Sequence, residues 1–197
     1  MYTVVRCAAG CGQPATTGSA LCGVHCANKV SESARITGLI LGANPVRNLS
    51  AGRLEFHDVD FSGRHFHESS FVKSVFSNCA FNGCVMRTVF FDFAVFDNCD
   101  FRESDMNFSS FGGARFTGCR FGKSELTSLN FTGAKLAGCD FSESNLYNSR
   151  FITAEMQKVL MVDCNVKKVF FINTDVSGVN FRLSNSREAV FEMEDDW

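Results

Sequence analysis

Five soft or titratable side chains sit together near the start of this chain: Cys7-x3-Cys11, then Cys22-x2-His25 with Cys26 beside it. Thiolate and imidazole suit a borderline-soft divalent ion, and two ligand pairs joined by a ten-residue loop have the layout of a structural zinc site. A segment this short has no core of its own, so four ligands on one ion would supply its folding energy. The expected ligands are Cys7, Cys11, Cys22 and His25, with Cys26 open as the alternative to His25. The remaining histidines, His57, His65 and His67, come without a carboxylate-rich shell. His65 and His67 flank Phe66 and are expected to be solvated rather than to share a metal. Gly112-Gly113 lacks the strand and helix that flank a phosphate loop, and no nucleophile–base constellation is present. No catalytic residues are expected.

The rest of the chain has a different order. From Phe56 to Phe181 every fifth residue is large and apolar, 26 in succession, 17 of them Phe. Two places before each lies a mostly small residue, and this second series repeats on a longer count. Cys79, Cys99, Cys119 and Cys139 are twenty apart, as are Ala94, Ala114, Ala134 and Ala154, and Ser104, Ser124 and Ser144. Neither a helix nor a strand has a period of five. Five nested in twenty describes a chain that turns four corners and then lies on itself, a solenoid of about 6–7 coils. At a coil spacing of about 4.8 Å the rod would be roughly 30 Å long. Its interior takes one bulky side chain per side, and aromatic rings of successive coils stack in columns.

The runs "AFNGC", "CDFRES", "GARFTGCRF" and "AKLAGCDFSESNL" resemble the pentapeptide-repeat family, from about Ala51 to Phe191. That resemblance implies an all-β, right-handed quadrilateral β-helix. It also implies a function, because the quinolone-resistance group of the family imitates duplex DNA and binds DNA gyrase or topoisomerase IV. The stretch "CAAGCGQPATTGSALCGVH" resembles the short zinc knuckle found beside HNH-type nucleases. It departs from that pattern in the three residues between Gly18 and Cys22, and in Cys26, where an aromatic is common.

Four segments follow: a knuckle over 1–28, a linker and amino-terminal cap over 29–50, the β-helix over 51–191 and an acidic tail over 192–197. Val30, Ile36, Leu39, Ile40 and Leu41 predict a short capping helix with Ser31 near its start and Gly42 near its end. A solenoid needs such plugs because its ends expose unpaired backbone. Val190, Phe191, Met193 and Trp197 offer apolar material for a second plug or a homodimer contact. Six cysteines fall in the small inner column, where free thiols in a reducing cytosol are the expected state. No long apolar stretch is present, so no membrane span is expected and a cytoplasmic location is predicted.

Outward residues sort by side. Around Phe61, Phe101 and Phe141 stand Asp100, Glu103, Asp140 and Glu143, mixed with Arg102, Arg120 and Lys123. Around Phe71, Phe91, Phe151 and Phe171 stand Val72, Phe90, Phe93, Ile152, Phe170 and Ile172, with Phe108 and Tyr147 on the adjoining side. Contiguous outward aromatics mark an interaction surface. Residues 51–197 carry 20 acids against 15 bases, whereas the first fifty carry four bases and one acid. The sequence therefore predicts a binding protein with two candidate modes. One is DNA mimicry toward gyrase or topoisomerase through Asp100, Glu103, Asp140 and Glu143. The other is a protein scaffold gripping its partner through Phe90, Phe93, Phe170, Ile172 and the knuckle. The basic knuckle is also a candidate contact for nucleic acid.

Overall fold

The computed structural model describes residues 4–192. Residues whose numbers differ by twenty are parallel partners. Glu55–His57 pairs with Val75–Ser77, which pairs with Val95–Asp97 and so on through Glu155–Gln157, forming a six-stranded parallel stack. A second stack runs from Val46–Arg47 through His65–His67, Val85–Arg87 and Asp105–Asn107 to Glu125–Thr127. Single-residue bridges such as Ser70↔Phe90↔Ser110 and Asp60↔Ala80↔Asp100 close the other two sides. The result is a four-sided β-solenoid of about seven coils. Sides are numbered here by their inward residues: one for Phe56 and Phe76, two for Phe61 and Phe81, three for Phe66 and Met86, four for Phe71 and Phe91.

The corners are made by backbone. From Asn48 to Asn173 every fifth residue has a positive φ, between 51° and 68°. Many corners are closed turns, as where Ser74 N donates to Phe71 O at 3.1 Å and Ala94 N to Phe91 O at 3.0 Å. A left-handed residue at the third turn position redirects the chain onto the next side. Glycine adopts this geometry without strain, yet only six of these corners are Gly; Asn, Asp, Lys and Thr fill others, and Phe93 and Phe108 fill two.

Inside, the rings stack along each column and meet edge-on around each coil. Phe121 and Phe141 are 4.5 Å apart and parallel, while Phe91 and Phe96 meet at 66° and 5.5 Å. The small inner column does more than make room. Ser124 Oγ donates to Phe101 O at 3.0 Å and accepts from Ser104 N at 3.1 Å. Cysteines follow suit, with Cys84 Sγ donating to Phe61 O at 3.2 Å and Cys164 Sγ to Phe141 O at 3.0 Å. These thiols are buried in the core and also share the serine's role as donors to the backbone. Burial pushes the Cys84 thiol up to about 12 and those of Cys139 and Cys164 to about 11. All ten cysteines are free.

The solenoid begins at Val46, five residues before the expected boundary, since Val46 and Leu49 are buried and in register with the next coil. Helix α1, Lys29–Leu41, closes its base with Ile36 and Ile40 fully buried against the core. Its amino-terminal cap is Asn28, whose Oδ1 accepts from Ser31 N at 3.0 Å, rather than Ser31; Gly42 ends it as expected. Arg64, the one charge in the inner column, is half-buried at this lowest coil. At the far end Phe191 stacks on Phe171 at 5.5 Å. Met193, Glu194, Asp195, Asp196 and Trp197 lie outside the described residues. No described helix is long and apolar enough to cross a membrane.

Phe111 touches rings above, below and beside it. Phe111→Ala is expected to cost about 3–5 kcal/mol in chemical denaturation, and Phe111→Asp to yield no folded rod by circular dichroism.

Candidate metal centre and exposed aromatic band

The cysteine segment folds as a small hairpin. Arg6 and Pro14 bridge antiparallel, Cys7 N donates to Gln13 O at 2.9 Å, and Ala15 N donates to Val5 O at 2.8 Å. This register sets Cys7 beside the second ligand pair, and the turn after Cys22, with His25 N and Cys26 N both on Cys22 O, swings His25 inward. The ligand atoms of Cys7, Cys11, Cys22 and His25 all lie within 4.8 Å of one another. Cys11 and Cys22 Sγ are 3.8 Å apart, and His25 Nδ1 is 3.5 Å from both Cys7 and Cys22 Sγ. A tetrahedral ion with bonds of about 2.3 Å to sulfur and about 2.05 Å to nitrogen has edges of about 3.8 Å between sulfurs and about 3.6 Å between sulfur and nitrogen. The donor set fits such an ion, and these four residues can hold it. Cys26 lies outside this group, its Sγ turned to Gly23 O at 3.5 Å.

The electrostatics favour the thiolate at Cys7 and Cys22, whereas the Cys11 thiol is held above its usual value and His25 is shifted toward its protonated form. The backbone N–H of Cys22, 3.4 Å from Cys7 Sγ, does most to pull the Cys7 thiol down to about 6, with the His25 ring assisting. Burial opposes ionisation of Cys22, yet the backbone N–H groups of Val24 and His25 hold that thiol below its usual value. Hydrogen bonds to Cys7 and Cys22 raise His25. Among the described residues no other set of three or more His, Cys, Asp or Glu gathers in this way. His65 is exposed and His67 half-buried on side three.

The expected partner surfaces fare unequally. Phe90 and Phe93 are exposed at 41% and 61%, and Phe108, one coil up at the preceding corner, at 69%. Val95, at 37%, extends this band onto side one. Ile172 is buried and Phe170 half-buried, contrary to expectation, because Val190 bridges to Phe170 and the last segment returns over this corner. Phe93 lies flat against the rod: a Cβ on Gly113 would stand 2.7 Å from its ring, and Lys73 Nζ is 5.6 Å from its centroid. Asp100 is largely covered, with Arg102 at 2.7 Å and Arg120 at 3.1 Å. Burial works to raise its carboxyl, but Arg102 and Arg120 outweigh that and hold it below the ordinary range. Glu143 pairs with Lys123 at 3.8 Å, and Asp140 accepts from Ser142 N at 2.9 Å, while Glu103 is exposed. Sequence reasoning missed the left-handed backbone of Phe93 and Phe108 (φ 58° and 54°). The signal was present, since their column holds Lys73, Gly113 and Gly133 in one case and Thr88 and Ser128 in the other.

Metal stoichiometry checks the ligand set. Cys26→Ser should keep one ion per chain, and His25→Ala should lose it or bind much more weakly. Alkylation of the native, metal-free protein should reach Cys7, Cys11, Cys22 and Cys26 but spare Cys79, Cys84, Cys99, Cys119, Cys139 and Cys164, as read by intact mass.

Residues 89–122 and 124–161 match the family described as "Pentapeptide repeats", in 8 copies. No curated protein sequence matches the chain. Among solved structures it is similar to HetL, a pentapeptide repeat protein involved in heterocyst differentiation regulation from the cyanobacterium Nostoc, at 11% identity, covering 79% of this chain and 92% of that one, with a TM-score of 0.33. It is also similar to trypsin-treated QnrB1, a plasmid-mediated fluoroquinolone resistance protein, at 19% identity over 73% of this chain and 89% of that one, TM-score 0.30. The chain is a four-sided β-solenoid of five-residue units, similar to pentapeptide repeats over residues 89–122 and 124–161, with a Cys3His cluster at its amino-terminal end.

Proposed function

We propose that the protein is a non-catalytic, cytoplasmic binding rod that presents the band of Phe90, Phe93, Phe108 and Val95 to a protein partner, with structural zinc in its knuckle. One observation carries this reading: two large aromatics occupy left-handed corners and remain in water. A bulky L-residue there costs about 1–2 kcal/mol relative to a permissive one; Phe93 recovers part of that by lying over Gly113, whereas the more exposed ring of Phe108 recovers little within the rod itself. Strain that packing does not fully offset is what a binding surface retains. Zinc is the ion of choice because three thiolates and an imidazole at tetrahedral edges suit it. Ten free thiols support the cytoplasmic assignment.

Side four carries Arg53, Lys73 and Arg150 against Asp92 and Glu192. Asp92 is turned onto Ser110 Oγ at 2.5 Å and Gly112 N at 3.0 Å. No ion pair forms on this side among the described residues, so its open charge is positive and complements an acidic, apolar partner surface. The knuckle abuts the same side through a cleft of about 140 Å3 lined by Pro14, Ser50, Arg53 and Val72. Imitation of DNA toward gyrase or topoisomerase is the rival reading. It needs an uncompensated acidic side, and Asp100 and Glu143 are neutralised by arginine and lysine.

Phe108→Asn should raise stability by about 1 kcal/mol, or about 2–4 °C in Tm for a chain of this size. The pair Phe93→Asn and Phe108→Asn should also abolish capture of the partner from host extract. Binding should persist at high salt. Unchanged capture by the double variant, or steep salt loss together with gyrase in the captured fraction, would replace this reading by DNA mimicry.

A further inference from the structure

The first coil has no coil beneath it, yet its backbone was made to receive one. In every later coil the residue before the inward one directs both backbone groups toward the preceding coil: Ser70 N donates to Leu49 O at 2.7 Å, and Ser70 O accepts from Ala51 N at 2.8 Å. Ser50 is the equivalent residue of the first coil on side four. A single knuckle residue meets both of its groups. Ser50 N donates to Thr17 Oγ1 at 2.7 Å, and Thr17 N donates to Ser50 O at 2.8 Å. Thr17 thus stands in for a whole missing coil edge, presenting one donor and one acceptor.

Other residues serve the other sides. Glu55 N donates to Ser33 Oγ of α1 at 3.3 Å, and His65 N to Asn44 Oδ1 at 2.9 Å. Those caps stand on the helix and on the residues that follow it, whose hold on the core is through Ile36 and Ile40. Thr17 belongs to the loop between the two ligand pairs. A second contact is tied to the ligands more directly. Gly23, between Cys22 and His25, lies so close to the first coil that a Cβ there would stand 2.5 Å from Gly52 O.

We propose that occupancy of the Cys7, Cys11, Cys22 and His25 centre locks the solenoid's first edge on side four, so that losing the ion frees Thr17 and Gly23 from Ser50 and Gly52 and opens the base of the face that bears the aromatic band. This rests on the metal reading above, and adds to it a mechanical role. With four ligands on one ion the loop that carries Thr17 is held at both ends. Without the ion its hydrogen bonds, among them Arg35 Nη2 to Thr17 O at 2.7 Å, and the burial of Ala15 and Thr16 remain.

The test is amide exchange resolved to single residues, on the full chain with zinc and after chelation, with bound zinc measured alongside. Chelation should accelerate exchange of Ser50 by roughly tenfold or more while His65 and the upper coils hold. Thr17→Val, which keeps every ligand and removes the acceptor for Ser50 N–H, should accelerate Ser50 similarly with zinc still bound. Zinc bound and removed with Ser50 unchanged would overturn the lock alone. A chain that binds no zinc would overturn both the metal reading and the lock.

Discussion

Backbone hydrogen bonds between residues twenty apart hold every other feature in place, and they exist only because a left-handed residue turns the chain at every fifth position. Each corner redirects the strand onto the next side, and four corners return it over its starting point. The inner Phe, Leu and Met columns then acquire neighbours above and below that no isolated turn could provide. Stacking at 4.5–5.5 Å along the columns is a result of this register as much as a cause of it. Serine and cysteine in the small column add side-chain links between the same coils, and no buried side-chain nitrogen or oxygen is left without a partner among the described residues.

The inner ladder from Phe56 to Phe181 was legible because burial demands large apolar groups, and demand of that kind leaves a periodic mark. The gathering of Cys7, Cys11, Cys22 and His25 was legible for a similar reason, since spacing constrains which side chains can meet. Cys26 stayed open beside His25 in the sequence because the direction of one turn after Cys22 decides which of them faces the other three. Corner conformation left an uneven trace: Gly113 and Gly133 mark their column, whereas Asn, Lys, Glu and Thr at other corners read as ordinary solvated residues. Lys135 with Glu155 and Lys123 with Glu143 were legible as charges of opposite sign on one side, and their pairing follows from the twenty-residue offset. Ile172 misled because outwardness in the repeat does not guarantee exposure where the chain folds back over its last coil.

The amino-terminal module and the rod meet through backbone rather than through a shared core. Thr17 and Gly23 touch Ser50 and Gly52 by main-chain atoms and one hydroxyl, so the junction tolerates little change in backbone path while requiring few particular side chains. Its location on side four brings the cysteine centre and the exposed rings onto one side of the molecule. A partner lying along that side would meet both.

A five-residue unit that advances the chain by one side has a consequence for how such a molecule changes length. Adding or removing twenty residues lengthens or shortens the rod and leaves every surface column aligned. Adding or removing five preserves the buried pattern equally well, yet rotates everything beyond it by a quarter turn. One such slip between Ser50 and Phe90 would carry the aromatic band away from the knuckle without costing the interior a single contact type. Surface geometry, rather than the interior, therefore sets the permitted steps in the length of this chain.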